Sequence, residues 1–159
     1  ESDVWQRHIA ESLLLVPLLP AAPCKLLDLG TGAGIPGMVL ALAAPHNIAL
    51  VDSDTKKCSF LRNVSRETLS RVTVHNSRIE ALPPQQADVI TARACAPLDK
   101  LLGYCQQHLS PAGMALLYKG ENWQQEIDNA KKQWTFAHTA HNVGNTGVIL
   151  QITKIQNIS

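Results

Sequence analysis

The chain has 159 residues, of which 45% are apolar and 17% charged, enough for one globular domain with a real core and too few for a second. A formal net charge of +1 gives no strong basic field, so electrostatics alone does not announce a nucleic-acid partner. No apolar run reaches the roughly 18 residues of a membrane span and no signal-peptide pattern appears. Cys24, Cys58, Cys95 and Cys105 lack both a C-x-x-C pair and a histidine at metal-ligand spacing, and read as buried thiols in a reducing cytoplasm with no metal site.

In chain order, Val4, Ile9, Leu13, Leu14 and Val16 keep helical spacing up to Pro17, and Pro20 and Pro23 separate this helix and linker (residues 1–23) from a first strand at Lys25 to Leu29. Pro36 sits where a helix begins, and Gly37 to Ala43 continues it with small residues. Asn47 to Val51 is a second strand ending at Asp52. A helix from Lys56 to Leu69 follows, with Phe60, Leu61, Val64 and Leu69 on its apolar side, and Val72 to Asn76 alternates as a third strand. Ala87 to Ala92 is a fourth strand, and Pro97 opens a helix to about His108. Ser110 to Gly113 reads as a turn before a fifth strand at Met114 to Tyr118. A polar helix spans about Trp123 to Gln133, then strands near Trp134 to His141 and Gly147 to Thr153 close a hairpin through Gly144-Asn145-Thr146-Gly147. This alternation predicts an α/β, doubly wound, mostly parallel sheet with helices on both faces and an antiparallel last strand. Its ligand edge lies at the carboxyl ends, where Gly30, Asp52, Asn76 and Ala92 fall.

Leu26 to Gly34 is the densest signal: an apolar run, Asp28, then Gly30, Gly32 and Gly34 at alternate positions. A strand running into such a loop lets backbone lie against a ligand. Dinucleotide sites use G-x-G-x-x-G, and a carboxylate at Asp28 would repel a pyrophosphate. S-adenosylmethionine, with its sulfonium and ammonium, suits the loop better, Asp28 accepting from the ammonium. Asp52 stands where doubly wound folds place an acid on ribose hydroxyls; the competing role is a helix cap, which Asp54 or Thr55 can fill instead. After the third strand, Ile79 can pack on an adenine face while a backbone amide and Glu80 address its edge. The alternative is a loop with an ordinary Arg78-Glu80 surface pair.

The fourth strand ends in Arg93, where many methyltransferases carry acidic or Asn-containing motifs aimed at an amine. Guanine N7 has a free in-plane lone pair and needs no general base, so positioning carries most of its methylation. Arg93 can bridge to the cofactor carboxylate, grip guanine O6 or a phosphate, or instead form a structural salt bridge to Asp28 or Asp99. Lys56, Lys57, Arg62, Arg66 and Arg71 form a basic run that reads as a solvated helix face. A small-molecule methyltransferase, an NAD-binding reductase and a non-catalytic nucleotide-binding module are the other functions these residues leave open.

Asp28-Leu29-Gly30-Thr31-Gly32-Ala33-Gly34-Ile35-Pro36-Gly37, Val51-Asp52-Ser53 with Lys56-Lys57 and Phe60-Leu61, Ser77-Arg78-Ile79-Glu80, Ala92-Arg93-Ala94 and Lys119-Gly120 together resemble the RsmG (GidB) family of bacterial small-subunit ribosomal RNA methyltransferases. The likeness begins at Trp5-Gln6-Arg7-His8-Ile9 and covers most of the chain; the Gly-Ile-Pro-Gly continuation and the Arg-Ala after the fourth strand are its most specific parts. It implies a class I methyltransferase domain, Rossmann-like, that uses S-adenosylmethionine to methylate N7 of guanine 527 in the 530 loop of 16S rRNA. The expected partner is that RNA or the small ribosomal subunit, met by a cytoplasmic monomer. By position, Gly30, Ile35, Ile79, Glu80 and Arg93 resemble the family's cofactor contacts, with Asp28, Gly32, Gly34, Asp52, Ser53 and Arg78 beside them. Arg93 is the expected catalytic residue, and Arg7, His8 and Lys119 match polar positions facing the RNA entrance. Family chains begin with a further N-terminal helical segment that this sequence lacks. Residues 139–145 lack the basic residues that often precede the family's last strand.

Overall fold

A computed structural model describes residues 2–68, 70, 72–93 and 96–158. Its elements run α1 (Ser2–Leu13), β1 (Lys25–Leu29), α2 (Gly37–Ala43), β2 (Asn47–Asp52), α3 (Thr55–Thr68), β3 (Thr73–Asn76), β4 (Ala87–Ala92), α4 (Leu98–His108), β5 (Leu109–Lys119), α5 (Trp123–Ala130), β6 (Trp134–Val143) and β7 (Gly147–Asn157). Short 3-10 turns at Val16–Leu18 and Ile79–Ala81 complete the backbone. The strands form one sheet in the order β3-β2-β1-β4-β5-β7-β6, parallel except for β7, which runs antiparallel to both neighbours. From β1 the chain builds outward to β3, then returns to place β4 on the other side of β1. The β1/β4 boundary is therefore the switch point, where the connections diverge and leave a crevice at the carboxyl ends.

The inner strands are apolar on both faces because both are covered. Odd-numbered residues of β1, β2 and β5, Leu27, Leu29, Ala49, Val51 and Leu117 among them, pack with Leu98, Leu101, Leu102 and Ile127 of α4 and α5. Even-numbered neighbours, including Leu26, Leu50, Leu116 and Tyr118, pack with Met38, Leu40, Leu61 and Leu15. This period-two division puts Asp28 on the second face, beneath α2, and it is wholly buried there.

Several expectations are revised. The turn expected at Ser110–Gly113 lies inside β5: Leu109 pairs with Ala87 and Met114 with Val89, so residues 110–113 bulge opposite Asp88 alone. The bulge brings Gly113 against the carbonyls of Ala87 and Asp88, where a side chain has no room. α1 stops at Leu13, and Val4, Ile9, Leu13 and Leu14 of its apolar series are exposed. Only its end docks, through Leu15 in the core and the Tyr118 hydroxyl donating to the Glu11 carbonyl. On α3 the buried positions are Cys58 and Leu61, while Phe60 faces solvent. Cys58 and Cys105 are buried and Cys24 is half-buried. Leu69, Arg71, Ala94 and Cys95 lie outside the described residues. Among those described, no helix is long and apolar enough to cross a membrane.

Candidate active site

The glycine loop is held from below by one carboxylate. Asp28 Oδ2 accepts from the Thr31 hydroxyl at 2.6 Å and from the Gly37 N–H at 3.1 Å, and Oδ1 accepts from the Thr91 hydroxyl at 2.8 Å. Thr91 is its register partner on β4, so the carboxylate also ties β1 to β4 across the switch point. Burial pushes Asp28 up from 3.8 to about 6, against the opposing pull of its hydrogen bonds and of the Arg93 charge. At Gly37 an added Cβ would collide with the Leu50 side chain and lie 2.7 Å from Asp28 Oδ2, so the start of α2 approaches the carboxylate as only glycine can. Asp28 therefore lies behind the loop, its oxygens taken by protein donors. The ammonium contact expected from the sequence is not where this side chain points.

Asp52 holds the same loop from the side. Its Oδ2 accepts from Gly32 N–H at 2.9 Å and its Oδ1 from Asp54 N–H at 2.8 Å. The cap of α3 is Asp54, which accepts from the N–H groups of Lys56 and Lys57 at 2.9 and 3.1 Å, and those bonds hold its carboxyl below its ordinary value. Gly32 has a φ of +56°, and a Cβ there would meet no protein atom within 4 Å. The outer face of the loop is thus open.

Next to the loop lies a cavity of about 190 Å³ lined by Gly30, Val51, Asp52, Ser53, Ser77, Arg78, Ile79, Glu80 and Tyr104. The expected residues Gly30, Asp52, Ser53, Arg78, Ile79 and Glu80 meet here. Arg78 and Glu80 are paired at 2.8 Å, both exposed, and the guanidinium keeps the Glu80 carboxyl below its usual range. The arginine charge is thereby engaged, leaving a pocket bordered by the Asp52 and Glu80 carboxylates and the Ser53, Ser77 and Tyr104 hydroxyls, which suits a diol and an amine better than a phosphate. Gly34 and Ile35 carry the chain from the loop into α2, away from this cavity; Gly34, at φ +93°, packs against Leu61 and Met38. Tyr104 was not foreseen: it arrives from α4, with no local motif to mark it.

A second cleft, of about 400 Å³, opens on the other side of the switch point. It is lined by Arg7, His8, Glu11, Arg93, Tyr118, Lys119, Gly120 and the β6–β7 turn, residues 143–148. Arg7, His8 and Lys119 thus meet Arg93 across more than a hundred residues of sequence. Arg93 follows Ala92, the register partner of Leu29, so Arg93 and Gly30 leave adjacent strand ends. Its guanidinium lies 5.5 Å from the centroid of the Tyr118 ring. Among the described residues it has no ion pair, so neither Asp28 nor Asp99 anchors it directly. Burial raises the Tyr118 hydroxyl well above its ordinary value.

Lys119 departs from the expected role. Its ammonium is buried and donates to the Ala96 carbonyl at 2.8 Å and to Glu126 Oε1 at 2.9 Å. The same Glu126 oxygen accepts from Leu98 N–H at 3.0 Å, so Lys119 and Glu126 tie the start of α4 to β5 and α5. Lys119 borders the cleft, and its charge is spent inward on Ala96 and Glu126. His8 Nδ1 is buried with no hydrogen-bond partner among the described residues. No cluster of metal-binding side chains occurs among those residues.

Strand order, glycine loop and acidic second strand end define a class I methyltransferase, and solved structures share the architecture. A TehB-like SAM-dependent methyltransferase from Corynebacterium glutamicum aligns with a TM-score of 0.68 at 15% identity, covering 96% of this chain and 95% of that one. A ribosomal protein L11 methylase from Lactobacillus delbrueckii subsp. bulgaricus aligns at 0.74 and 17% identity, covering 93% and 78%. At these identities the likeness is one of fold. The family described as rRNA small subunit methyltransferase G matches residues 1–149, and the chain belongs to it. A ribosomal RNA small subunit methyltransferase G from Paramagnetospirillum magneticum is 43% identical over 157 residues, 96% of this chain and 76% of the relative.

Proposed function

We propose that this chain transfers a methyl group from S-adenosylmethionine to N7 of guanine 527 in the 530 loop of 16S ribosomal RNA, acting as a cytoplasmic monomer on that RNA or on the small subunit. The observation that carries the reading is the placement of the glycine loop and Arg93 on adjacent strand ends, with a pocket bordered by Asp52 and Glu80 on one side and a cleft holding Arg7, His8 and Arg93 on the other. Family membership supports small-subunit ribosomal RNA as the substrate.

The open outer face of Gly32 and the two carboxylates bordering the cavity, Asp52 and Glu80, fit the cofactor. Bound, it supplies an activated methyl on a sulfonium. Asp52 and Ser53 would hold the ribose hydroxyls and Ile79 and Glu80 the adenine, with Gly30 and Gly32 presenting loop backbone beside them and Gly34 and Ile35 turning that loop into α2; Arg78 holds Glu80 in its ionised form. Asp28 holds the loop in shape from behind. Arg93 grips guanine O6 or the cofactor carboxylate and so sets N7 in line for transfer, with no proton to remove. Arg7 and His8 address the RNA. Lys119 contributes by fixing the β4–α4 link that carries Arg93.

The test is transfer of labelled methyl to small subunits or 16S rRNA prepared from cells lacking the protein, followed by mapping of the label. Label on N7 of guanine 527 is expected, with none on transfer RNA or small metabolites. Label on an exocyclic amine would overturn the reading, and so would thermal stabilisation by NAD with none by S-adenosylhomocysteine.

A further inference from the structure

We infer that the C-terminal end of α4, through His108 and Gln107, is a positioning device for base recognition that makes the 79–82 turn select adenine. The inference rests on the cofactor assignment above. His108 is wholly buried, and its Nε2 lies 2.9 Å from the Ile79 carbonyl. A carbonyl can only accept, so Nε2 carries the ring's proton. Gln107 Nε2 donates to the Glu80 carbonyl at 3.2 Å and to the Leu82 carbonyl at 3.0 Å. Three carbonyls of one short turn are therefore held by two consecutive side chains of a distant helix. One turn earlier on that helix, Tyr104 lines the cavity that Ile79 and Glu80 also line. α4 thus supplies both a wall of the pocket and the bonds that fix the opposite side of the turn.

The chemistry follows from what remains. With these carbonyls drawn toward α4, and the Ala81 and Leu82 N–H groups bonded to the Arg78 and Ile79 carbonyls, the turn offers a base edge the Ile79 N–H and the Glu80 carboxylate. Adenine presents an acceptor at N1 and donors at the 6-amino group, and matches both. Hypoxanthine presents a donor at N1 and an acceptor at O6, and matches neither. A free carbonyl at this turn would accept the hypoxanthine N1–H and erase the distinction. A site whose polar groups face the wrong edge discriminates far more strongly than an apolar pocket does.

The measurement is calorimetric titration of the protein with S-adenosylhomocysteine and with its inosine analogue, alongside unfolding curves without ligand. Wild type should bind the adenosine compound at least thirtyfold more tightly. His108→Leu should weaken that binding about tenfold while leaving the inosine compound within threefold, so that selectivity collapses. His108→Gln, which keeps a donor of similar reach, should restore most of it. Should His108→Leu fail to fold, Gln107→Met at the half-buried neighbouring position carries the test, with a smaller loss of selectivity expected. Equal weakening of both ligands, or unchanged adenosine binding, would overturn the inference while leaving the cofactor assignment intact. Failure of wild type to bind S-adenosylhomocysteine at all would overturn both.

Discussion

The two sides of the switch point are built by different means. On the β1–β3 side three carboxylates from one stretch, residues 28–54, shape the loop and are held largely by backbone: Asp28 takes Gly37 along with the Thr31 and Thr91 hydroxyls, Asp52 takes Gly32 and Asp54, and Asp54 takes Lys56 and Lys57. On the β4–β7 side the groups are side chains gathered from residues 7, 8, 93 and 118, with Arg93 over a ring face and His8 Nδ1 unpartnered among the described residues. A constant ligand can be met by fixed backbone, because its cost of ordering is carried by the fold. A large folded RNA brings its own shape and charge, and under the proposed function the cleft is one that keeps donors in reserve for it.

The sharpest way to break this contrast is Gly37→Ala. The new methyl would strike the Leu50 side chain and the Asp28 carboxylate, and the predicted loss of stability is about 3 kcal/mol, with cofactor binding abolished. Gly144→Ala, in the β6–β7 turn of the open cleft, has a φ of +61° and no protein atom within 4 Å of its Cβ; its predicted cost is about 1 kcal/mol. Urea denaturation of both variants makes the comparison, and equal costs would mean that the two sides are equally tightly built.

Next in size is Arg93→Ala, expected to lower kcat/KM roughly a hundredfold, as loss of a group that acts at the reacting centre does. Stability should change little, because among the described residues the guanidinium has a ring contact and no ion pair. Lys57→Ala on the exposed face of α3 is the control. Similar turnover in the two variants would reduce Arg93 to a structural residue.

How far this arrangement could be read from the chain divides along the same line. β1 and β4 fall where their apolar runs place them, Lys25–Leu29 and Ala87–Ala92, because strands covered on both faces are apolar at most positions, the buried Asp28 and Thr91 satisfying one another. The glycine loop and Asp52 were legible for the same local reason. Ser110-Pro111-Ala112-Gly113 has the composition of a turn, yet pairing resumes on both sides of it, so the sheet absorbs it as a bulge. Exposure along α1 is set by what it docks against, and its spacing is silent on that. Lys119 carries a motif position but not a direction; Glu126 turns its charge inward. Tyr104, Gln107 and His108 reach the 79–82 turn only through the packing of α4, and no local pattern marks them beyond a histidine buried at the end of an apolar helix stripe.

Asp28→Asn probes the saturated side with a smaller, pH-dependent effect. Burial lifts Asp28 to about 6 from 3.8, so the folded state holds its proton more tightly than the unfolded one. A carboxyl raised in this way favours the fold below the unfolded value, and that contribution is lost as pH climbs from about 4 to about 6. Asparagine can keep its carbonyl toward Gly37 N–H and Thr31 while its amide meets Thr91, whose hydroxyl can turn to accept. Wild type should therefore lose stability relative to Asp28→Asn between pH 4 and pH 7, on the order of 2 kcal/mol. Parallel denaturation curves for the two proteins across that range would show that the carboxylate is not desolvated at all.

The smallest effect belongs to the open side. Arg7 is exposed and its pairing with Glu11 is loose, at 3.9 Å, so Arg7→Ala should leave the unfolding curve where it is. If the cleft meets RNA phosphate, the affinity for 16S rRNA falls roughly threefold and the slope of log affinity against log salt loses about 0.7, the signature of one phosphate contact on a single strand. The two readouts have to move together. A change in affinity with an unaltered salt slope would mean that Arg7 shapes the cleft through α1 and touches no phosphate. An altered slope with unchanged binding of S-adenosylhomocysteine would confine its action to the RNA side, as the division at the switch point requires.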